Sequence, residues 1–297
     1  MIDQAQQLRS LAQDRGHSVF GSGRCRVVTV TGGKGGVGKS SISLNLAIAL
    51  AAGGRRVLLF DADLGLANLD LMLGVVPQRT IEDVSKGSCR LADILLHTQH
   101  GIDLLPGGAG VPELASMGSL SLVRMLGQLR ELEDSYDVMV IDTAAGIGEG
   151  VARFALPADD CVLVCTPDPP AMLDAYSVIK MLCARQYSGN LHLVVNMLRA
   201  EGELERTHAS LDRVTRRYQE RGINLLGGIP YDEQMYECTR RQAPLLGMFP
   251  HGRCARAINA LVQVLDGQSA VLPEPERRGF FGRLMDSVKR MAVTDAR

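Results

Sequence analysis

Residues 33–40, which read GKGGVGKS, decide the fold of this chain. They satisfy the pattern G-x-x-x-x-G-K-[ST] and lie between an apolar run at 26–31 and a stretch rich in Ala and Leu. Glycines let backbone amides point at phosphate oxygens, and the N-terminus of a following helix adds a favourable dipole. In such loops Lys39 contacts the β- and γ-phosphates, and the Ser40 hydroxyl ligates Mg²⁺. The sequence therefore predicts a nucleotide-binding loop made of Gly33, Lys34, Gly35, Gly36, Val37, Gly38, Lys39, Ser40 and Ser41.

The rest of the chain alternates short β-branched runs with longer helical patterns, which is typical of a parallel sheet covered by helices. Some runs, such as 138–141 and 162–164, are apolar without alternation, as expected for strands buried on both faces. We therefore predict an α/β fold of the P-loop NTPase class, with a mostly parallel, twisted sheet flanked by helices over residues 24–266. The predicted strands are residues 26–31, 56–61, 102–105, 137–142, 161–166, 191–196 and 224–229.

The composition limits the partners and the location. Of the 297 residues, 46% are hydrophobic and 22% are charged, and the formal net charge is −1. This balance argues against coating of nucleic acid by bulk charge, so we expect no direct nucleic-acid partner. The seven cysteines contain no C-x-x-C pair and indicate neither a zinc site nor a disulfide framework. Residues 1–20 lack the apolar core of a secretory signal, so we expect a cytoplasmic protein.

Aspartates stand where two predicted strands end. Asp61 and Asp63 come at the end of the second strand, and Asp142 closes the apolar run 137–141. Carboxylates at the C-terminal ends of parallel strands face the crevice in which ligands bind. A strand-end acid downstream of a P-loop is the Walker B pattern that holds Mg²⁺, although an isolated acid there is more often a helix cap. The order of the motifs favours the metal site.

A second lysine within the loop, Lys34, gives K-G-G-x-G-K-[ST], and with it the chain resembles the MinD/ParA group of deviant Walker A ATPases over about residues 26–265. The resemblance implies ATP and Mg²⁺ as cofactors and an ATP-dependent homodimer in which Lys34 reaches the partner's nucleotide. A solvated lysine is the alternative. The resemblance also implies that Asp63 positions or activates the attacking water and that Asp61 supports the Mg²⁺ shell. The predicted catalytic residues are Lys34, Lys39 and Asp63, and the predicted metal residues are Ser40, Asp61 and Asp142.

Two later segments are the predicted base pocket. Asn196 ends a predicted strand, and residues 228–232 follow the last one. The resemblance implies that Asn196 reads the edge of adenine and that Pro230 and Asp232 complete the pocket. From the residues alone, Asn196 is equally well a turn residue that ends a strand.

The N-terminal residues narrow the resemblance. Residues 3–9, DQAQQLR, match the D-Q-A-x-x-L-R arm of the FlhG flagellar ATPases, which are called FleN in some bacteria. Residues 61–68, 142–146 and 174–176 are also more similar to FlhG than to MinD. The resemblance implies that the arm, within residues 1–23, docks as a helix on the GTPase FlhF and stimulates GTP hydrolysis. A frayed helix without a partner is the alternative. The predicted contacts are Asp3, Gln4, Leu8 and Arg9.

The C-terminal residues form a second appendage. Residues 267–279, with Pro273 and Pro275, are typical of a tether. Residues 280–292 place their apolar side chains within an arc of roughly 140° on a helix. Residues 277–290 carry five basic side chains against one acid, which predicts a reversible membrane anchor. A helix packed on the core is the alternative, and occlusion of this face in the monomer is a further hypothesis. The predicted membrane residues are Phe280, Phe281, Leu284, Met285 and Val288.

These features predict an ATP-hydrolysing regulator of flagellar number or placement that dimerises with ATP on the inner face of the cytoplasmic membrane. The resemblance implies action through FlhF, flagellar basal-body proteins and, in some species, a transcription activator. A MinD-like division-site regulator and a ParA-like DNA-partition ATPase are the alternatives. The candidate DNA patch consists of basic residues interleaved with acids, which indicates a solvated face instead. These residues are Arg206, Arg213, Arg216, Arg217 and Arg221.

Overall fold

A computed structural model describes residues 25–63, 68–80, 83–84, 86–107, 119–267 and 279–284, and for 119–126 it describes the backbone alone. The predicted arm with Asp3, Gln4, Leu8 and Arg9 lies outside these ranges. So do most of the predicted tether and the predicted membrane residues Met285 and Val288.

One sheet of eight strands runs through the described part of the chain in the order β3-β4-β2-β5-β1-β6-β7-β8. All neighbouring pairs are parallel except β3 and β4. The predicted fold class is confirmed, and each of the seven predicted strands exists with its ends shifted by at most three residues. The strands are β1 (Arg26–Gly32), β2 (Val57–Ala62), β3 (Leu96–His97), β4 (Ile102–Leu105), β5 (Val138–Ala145), β6 (Asp160–Cys165), β7 (Asn190–Leu198) and β8 (Asn224–Pro230).

Helices cover both faces of the sheet. Residues 91–94 form a short 3₁₀ turn, and residues 280–284 are helical as well. The α-helices are α1 (Lys39–Ala52), α2 (Leu69–Leu73), α3 (Ser119–Ser135), α4 (Glu149–Ala155), α5 (Pro169–Ala184), α6 (Glu203–Gln219), α7 (Glu233–Arg240), α8 (Leu245–Met248) and α9 (Arg253–Gly267).

The core lies on both sides of the central strands. On one side, α1 is apolar around most of its circumference, because it is enclosed between the sheet and α9. Strand β1 is also enclosed, since it lies between β5 and β6 in the middle of the sheet. Its C-terminal end, which leads into the phosphate loop, is therefore held by buried neighbours on both edges.

A buried polar network ties the N-terminal ends of three strands together. The Asp160 carboxylate accepts hydrogen bonds from Arg26 Nε at 2.7 Å and Asn190 Nδ2 at 3.1 Å, and it lies 2.9 Å from His192 Nε2. Arg26 also donates to the Leu265 carbonyl in α9 at 3.0 Å. His192 and Arg26 outweigh the effect of burial and lower the pKa of Asp160 to about 2. The carboxylate is therefore ionised and anchors β1, β6, β7 and α9 to one another.

The start of the C-terminal helix packs on the core. The predicted lipid-facing side chains Phe280, Phe281 and Leu284 are only 0%, 2% and 4% exposed, in the cluster that contains Phe60 and Ile141. The sequence pattern assigned them to the membrane, whereas in this structure they adopt the alternative arrangement, packing on the core. Burial of their apolar surface is favourable, and the docked helix end also has polar partners.

Two carboxylates supply those partners. Glu133 of α3 accepts hydrogen bonds from the backbone N–H groups of Phe280 and Phe281, at 2.6 and 3.4 Å. A carboxylate in this position satisfies amides at the start of a helix, where no intrahelical acceptor exists. Arg283 donates to the Pro157 carbonyl at 2.8 Å and to Asp159 at 3.1 Å. We call residues 279–284 the docked tail segment.

Candidate functional site

The phosphate loop joins the central strand β1 to α1. Gly33 packs so closely on α5 that an added Cβ would lie 2.2 Å from the backbone of Asp174, so only glycine fits there. Gly38 has φ of 93°, a left-handed conformation that glycine adopts at low cost, and α1 begins at the next residue. The loop is thus fixed between α5 and the N-terminus of α1.

Lys39 carries the positive charge of the loop into a mostly buried position. Its Nζ donates to the backbone carbonyl of Lys34 at 3.4 Å. Burial lowers the pKa of Lys39, while the nearby carboxylates of Asp142 and Asp63 act in the opposite direction. A partly desolvated ammonium beside a phosphate-binding loop binds anions more strongly than an exposed ammonium does, because solvent screens its charge less.

Two buried carboxylates lie next to Lys39. Asp61 and Asp142 are register neighbours on β2 and β5, so the sheet itself brings them together. Burial raises the pKa of Asp61 to about 7 and that of Asp142 to about 6, and the Asp142 charge contributes to the rise at Asp61. Hydrogen bonds from Ser40 and from Ser43, the latter at 2.8 Å, oppose the rise at Asp142. A pair of desolvated carboxylates beside a hydroxyl suits a divalent cation such as Mg²⁺.

Asp61 also organises the segment that follows β2. Its carboxylate accepts hydrogen bonds from the backbone N–H groups of Asp63 and Asn68, each at 3.1 Å, and of Leu69 at 3.2 Å. These bonds hold Asn68 and Leu69 beside the end of β2 and cap the start of α2. The predicted water-activating residue, Asp63, is thereby held two residues after Asp61 and close enough to Lys39 to affect the pKa of that lysine.

Lys34 projects into an open cleft of about 430 Å³ beside the loop. Its side chain is half-exposed, and its Nζ lies 4.0 Å from Asp168, which caps the N-terminus of α5 by accepting from Ala171 N–H at 3.1 Å. The charge of Lys34 therefore faces the open side of the site. The cleft is lined by Lys34, Gly35, Gly36, Val37, Thr166, Pro167, Asp168, Met197, Arg199 and Glu203.

The predicted base pocket is assembled at the ends of β7 and β8. Asn196 is buried and donates from Nδ2 to the Val37 carbonyl at 2.8 Å, so it contacts the phosphate loop directly. Pro230 pairs with Leu198 across the two strands, while Asp232 caps α7 by accepting from Gln234 N–H at 3.0 Å. The structure thus brings the three predicted residues to one edge of the sheet, but each of them already has a role in holding the fold.

Three residues of the site, Ser43, Arg199 and Tyr231, belong to none of the motifs in the sequence. Ser43 lies three residues after Ser40, and this i, i+3 spacing on a helix predicts that both hydroxyls face the same way. Arg199 and Tyr231 form a cation–π pair, with the guanidinium carbon 3.7 Å from the ring centroid. That pair could not be predicted, since its partners come from different loops.

Comparison with known proteins identifies the family. A family model described as "ParA: NUBPL iron-transfer P-loop NTPase" matches residues 24–266. The chain belongs to the ParA/MinD family of P-loop ATPases. Within the family it is 38% identical over 241 residues to the antiactivator FleN of Pseudomonas aeruginosa, an alignment that covers 81% of this chain and 86% of FleN. It is 32% identical over 292 residues to the flagellum site-determining protein YlxH of Helicobacter pylori, covering 96% and 99%. These matches place the ATPase in the FlhG/FleN branch.

Solved structures agree with the ParA/MinD family assignment and with the fold. The septum site-determining protein MinD of Pyrococcus horikoshii, in complex with Mg-ADP, is 26% identical to this ATPase, with a TM-score of 0.66 over 83% of this chain and 98% of that one. The cell division ATPase MinD of Pyrococcus furiosus gives a TM-score of 0.67 at 26% identity, over 82% and 99%. Members of this family hydrolyse ATP, and this chain is an ATPase. The MinD of Pyrococcus horikoshii holds its nucleotide as Mg-ADP.

The residues present fit that ligand. The loop backbone and Lys39 would hold the phosphates, and Ser40 and Asp142 would hold Mg²⁺, which withdraws negative charge from the phosphates when bound. The chain's own contribution is to position these groups before the ligand arrives. The described helices include none that is both long and apolar enough to cross a bilayer.

Proposed function

We propose that this ParA/MinD-family ATPase controls the number or placement of flagella. The proposal is supported by the names of its relatives, since FleN is described as an antiactivator and YlxH as a flagellum site-determining protein. The alignment with YlxH spans 292 residues, which is more than the ATPase core alone. Iron transfer, which the family description mentions, is not part of the proposal, because the sequence has no C-x-x-C pair.

ATP is the proposed trigger for dimerisation. Lys34 faces an open cleft, and its carboxylate neighbour Asp168 is itself half-exposed, so Lys34 is accessible to the nucleotide of a second copy. Asp63 is proposed to position the attacking water, because it follows the metal-type acid Asp61 and lies near Lys39. An Asp63→Ala variant should bind ATP and accumulate as a dimer in light scattering. Undiminished ATP turnover by this variant would contradict the role of Asp63.

The docked tail segment supports a cycle between the cytoplasm and the inner face of the cytoplasmic membrane. In this conformation the described apolar residues of a basic amphipathic sequence, Phe280, Phe281 and Leu284, are covered by the core. Arg283 is occupied by Pro157 and Asp159. A helix of this kind binds anionic lipid only when its apolar face is free. We therefore assign the docked form to the proposed cytoplasmic state. This is the single observation that carries the membrane part of the proposal.

The same cluster links the tail to the nucleotide. Phe280 and Phe281 pack in a group that includes Phe60 and Ala62, which flank Asp61 on β2, and Ile141, which precedes Asp142 on β5. A movement of either acid toward bound Mg·ATP would shift the side chains under the tail. Because packed cores have discrete arrangements, such a shift favours release over gradual loosening.

Sedimentation with vesicles containing anionic lipid tests this cycle. The full chain should sediment with vesicles in Mg·ATP and remain in the supernatant with Mg·ADP, and Asp63→Ala should stay on the vesicles. Lys39→Ala, which removes the nucleotide-binding ammonium, should remain unbound in both. Equal sedimentation with ATP and ADP by the unmodified chain would contradict nucleotide control of the tail.

The proposed partners are an FlhF-type GTPase, flagellar basal-body proteins and possible transcription activators. The arm that would contact FlhF lies outside the described residues, so the support is its match to the D-Q-A-x-x-L-R pattern. The GTPase rate of FlhF from the same organism should rise with the full chain. The rise should disappear when residues 2–20 are removed or when Gln4 is replaced by Ala. If the full chain does not stimulate the GTPase rate of FlhF, the result favours a MinD-like regulator instead.

DNA partition is the less favoured function. Arg216 of α6 pairs with Asp212 at 2.7 Å, and Arg221 donates to the backbone carbonyls of Tyr187 and Gly189. Both arginines are therefore engaged within the chain and do not extend a basic patch. Salt-dependent binding of non-specific DNA would be the result that favours a ParA-like role.

A further inference from the structure

Asn196 is joined to the phosphate loop, which the base-reading role does not require. Strand β7 loses its regular register with β8 between Val195 and Leu198, and Met197 takes a left-handed φ of 60° within this irregularity. The local bend directs the Asn196 amide at the loop, where Nδ2 donates to the Val37 carbonyl at 2.8 Å. Its Oδ1 accepts from Met197 N–H at 2.9 Å, so both ends of the amide are used.

The hydrogen bond that the Val37 carbonyl accepts from Asn196 fixes the orientation of the peptide between Val37 and Gly38. That peptide is trans, so its carbonyl and its N–H point in opposite directions. When Asn196 holds the Val37 carbonyl, the Gly38 N–H must point to the other side of the loop. Backbone N–H groups are what a glycine-rich loop offers to phosphate. We propose that Asn196 is a positioning residue for the phosphate loop, which aims the Gly38 N–H at phosphate whatever base the nucleotide carries.

Gly38 and Asn196 fit one another as a pair. A Cβ at Gly38 would lie 2.4 Å from Asn196 Nδ2, closer than any two such atoms can approach. Gly38 is therefore required by its φ and also by the space that the amide occupies. In this structure the amide of Asn196 therefore fills the space that a side chain at position 38 would need.

The proposal and the base-reading role predict different results for one substitution. Asn196→Asp keeps the acceptor for Met197 N–H and replaces the donor to Val37 with an oxygen. If Asn196 positions the loop, inorganic tripolyphosphate, ATP and GTP should all bind about tenfold more weakly, because one charged-ligand hydrogen bond is misplaced. The ratio of the ATP and GTP affinities should remain within about twofold of that of the unmodified chain.

A base reader would behave differently. Tripolyphosphate carries no base, so the affinity of Asn196→Ala for it, a variant that adds no charge beside the loop, would not change. In Asn196→Asp, GTP would gain relative to ATP because a carboxylate accepts from the N–H groups of guanine. Unchanged tripolyphosphate binding by a folded Asn196→Ala variant would overturn the proposal. The matched control is Asn224→Asp. Asn224 is exposed at the N-terminal end of β8, the end of the sheet away from Asn196, so the control should leave all three affinities as they are.

A measurement without any ligand keeps the proposal testable if binding is hard to quantify. Amide hydrogen exchange in residues 36–39 of the nucleotide-free chain should speed up about tenfold in Asn196→Asp, and should not change in Asn224→Asp. If the charged variant does not fold, Asn196→Ala removes the same donor without adding a charge and should act in the same direction. Loop exchange that stays at the unmodified rate in a folded variant would overturn the positioning role.

Discussion

Replacing Glu133 by Gln is the sharpest test of the docked tail segment. The Glu133 carboxylate accepts from two backbone N–H groups at the N-terminus of the docked tail helix, where a negative charge is favourable. Hydrogen bonds to a charged group contribute about 1.5–3 kcal/mol each. Because the second one is long, at 3.4 Å, we expect the substitution to weaken docking by about 2 kcal/mol in total. That is about a 30-fold change in the ratio of docked to released tail.

This loss is large relative to the net stability of docking. Burial of Phe280, Phe281 and Leu284 contributes about 1.5–3 kcal/mol each, or roughly 4–9 kcal/mol together. Ordering the backbone of the six residues 279–284 costs about 1–2 kcal/mol each, roughly 6–12 kcal/mol in all. The apolar and entropic contributions nearly cancel, so the polar contacts of Glu133 determine which state is favoured.

Hydrogen exchange of residues 279–284 measures the effect directly. In the nucleotide-free chain, Glu133→Gln should reduce protection of these amides about 30-fold and raise sedimentation with anionic vesicles. The matched control is Glu131→Gln on the same helix, which removes an equal charge from an exposed ion pair with Arg90. Exchange in Glu133→Gln that matches the control would refute the assignment of Glu133 as the residue that holds the tail.

Three further predictions concern the core and the site. Asp160→Asn should lower the free energy of unfolding at pH 7 by about 3 kcal/mol, because it leaves Arg26 and His192 without their buried partner. Since the folded pKa of Asp160 is lowered to about 2, the difference from the unmodified chain in denaturant melts should persist above pH 4 and shrink as pH falls toward 2. Mg·nucleotide binding near pH 6.5 should release protons, because the raised pKa values of Asp61 and Asp142, about 7 and about 6, leave them partly protonated beforehand. Calorimetry in buffers with different ionisation enthalpies should show this release, with affinity rising as pH increases to 7, and identical heats in all buffers would contradict it. Ser43→Ala should weaken Mg·nucleotide binding about five- to tenfold in titration calorimetry, as a buried acceptor on Asp142 loses its donor.

Local sequence patterns were sufficient to predict those elements whose own backbone geometry produces the pattern. The phosphate loop and the apolar run before Asp142 each have a period or spacing that reflects the backbone geometry of a single element, and these predictions of strand and loop hold in the structure. Strand β3 was missed because two residues have no period, and it exists only through its antiparallel partner β4.

Contacts between distant segments could not be predicted from such patterns. Glu133 is an ordinary helical acid in the sequence, and its function as a cap for Phe280 depends on a contact across 147 residues. Asn196 similarly meets Val37 across 159 residues. The amphipathic pattern of the tail correctly indicated an apolar face, but such a pattern is the same whether lipid or protein covers that face.

The central position of β1 has a consequence for how the protein is made. The phosphate loop is among the first parts of the domain to leave the ribosome, yet in the described sheet β1 pairs with β5 and β6, which end at residues 145 and 165. At about 5–20 residues per second, β1 waits roughly 5–30 s for its neighbours. During synthesis the unpaired edges of β1 are exposed to other chains. Nucleotide cannot hold the phosphate loop in place at this stage, because β1, which leads into the loop, has no neighbouring strands yet. Nascent-chain binding of ATP should therefore begin only after β6 has emerged, which makes ATP binding a sign that the sheet has closed around its first strand.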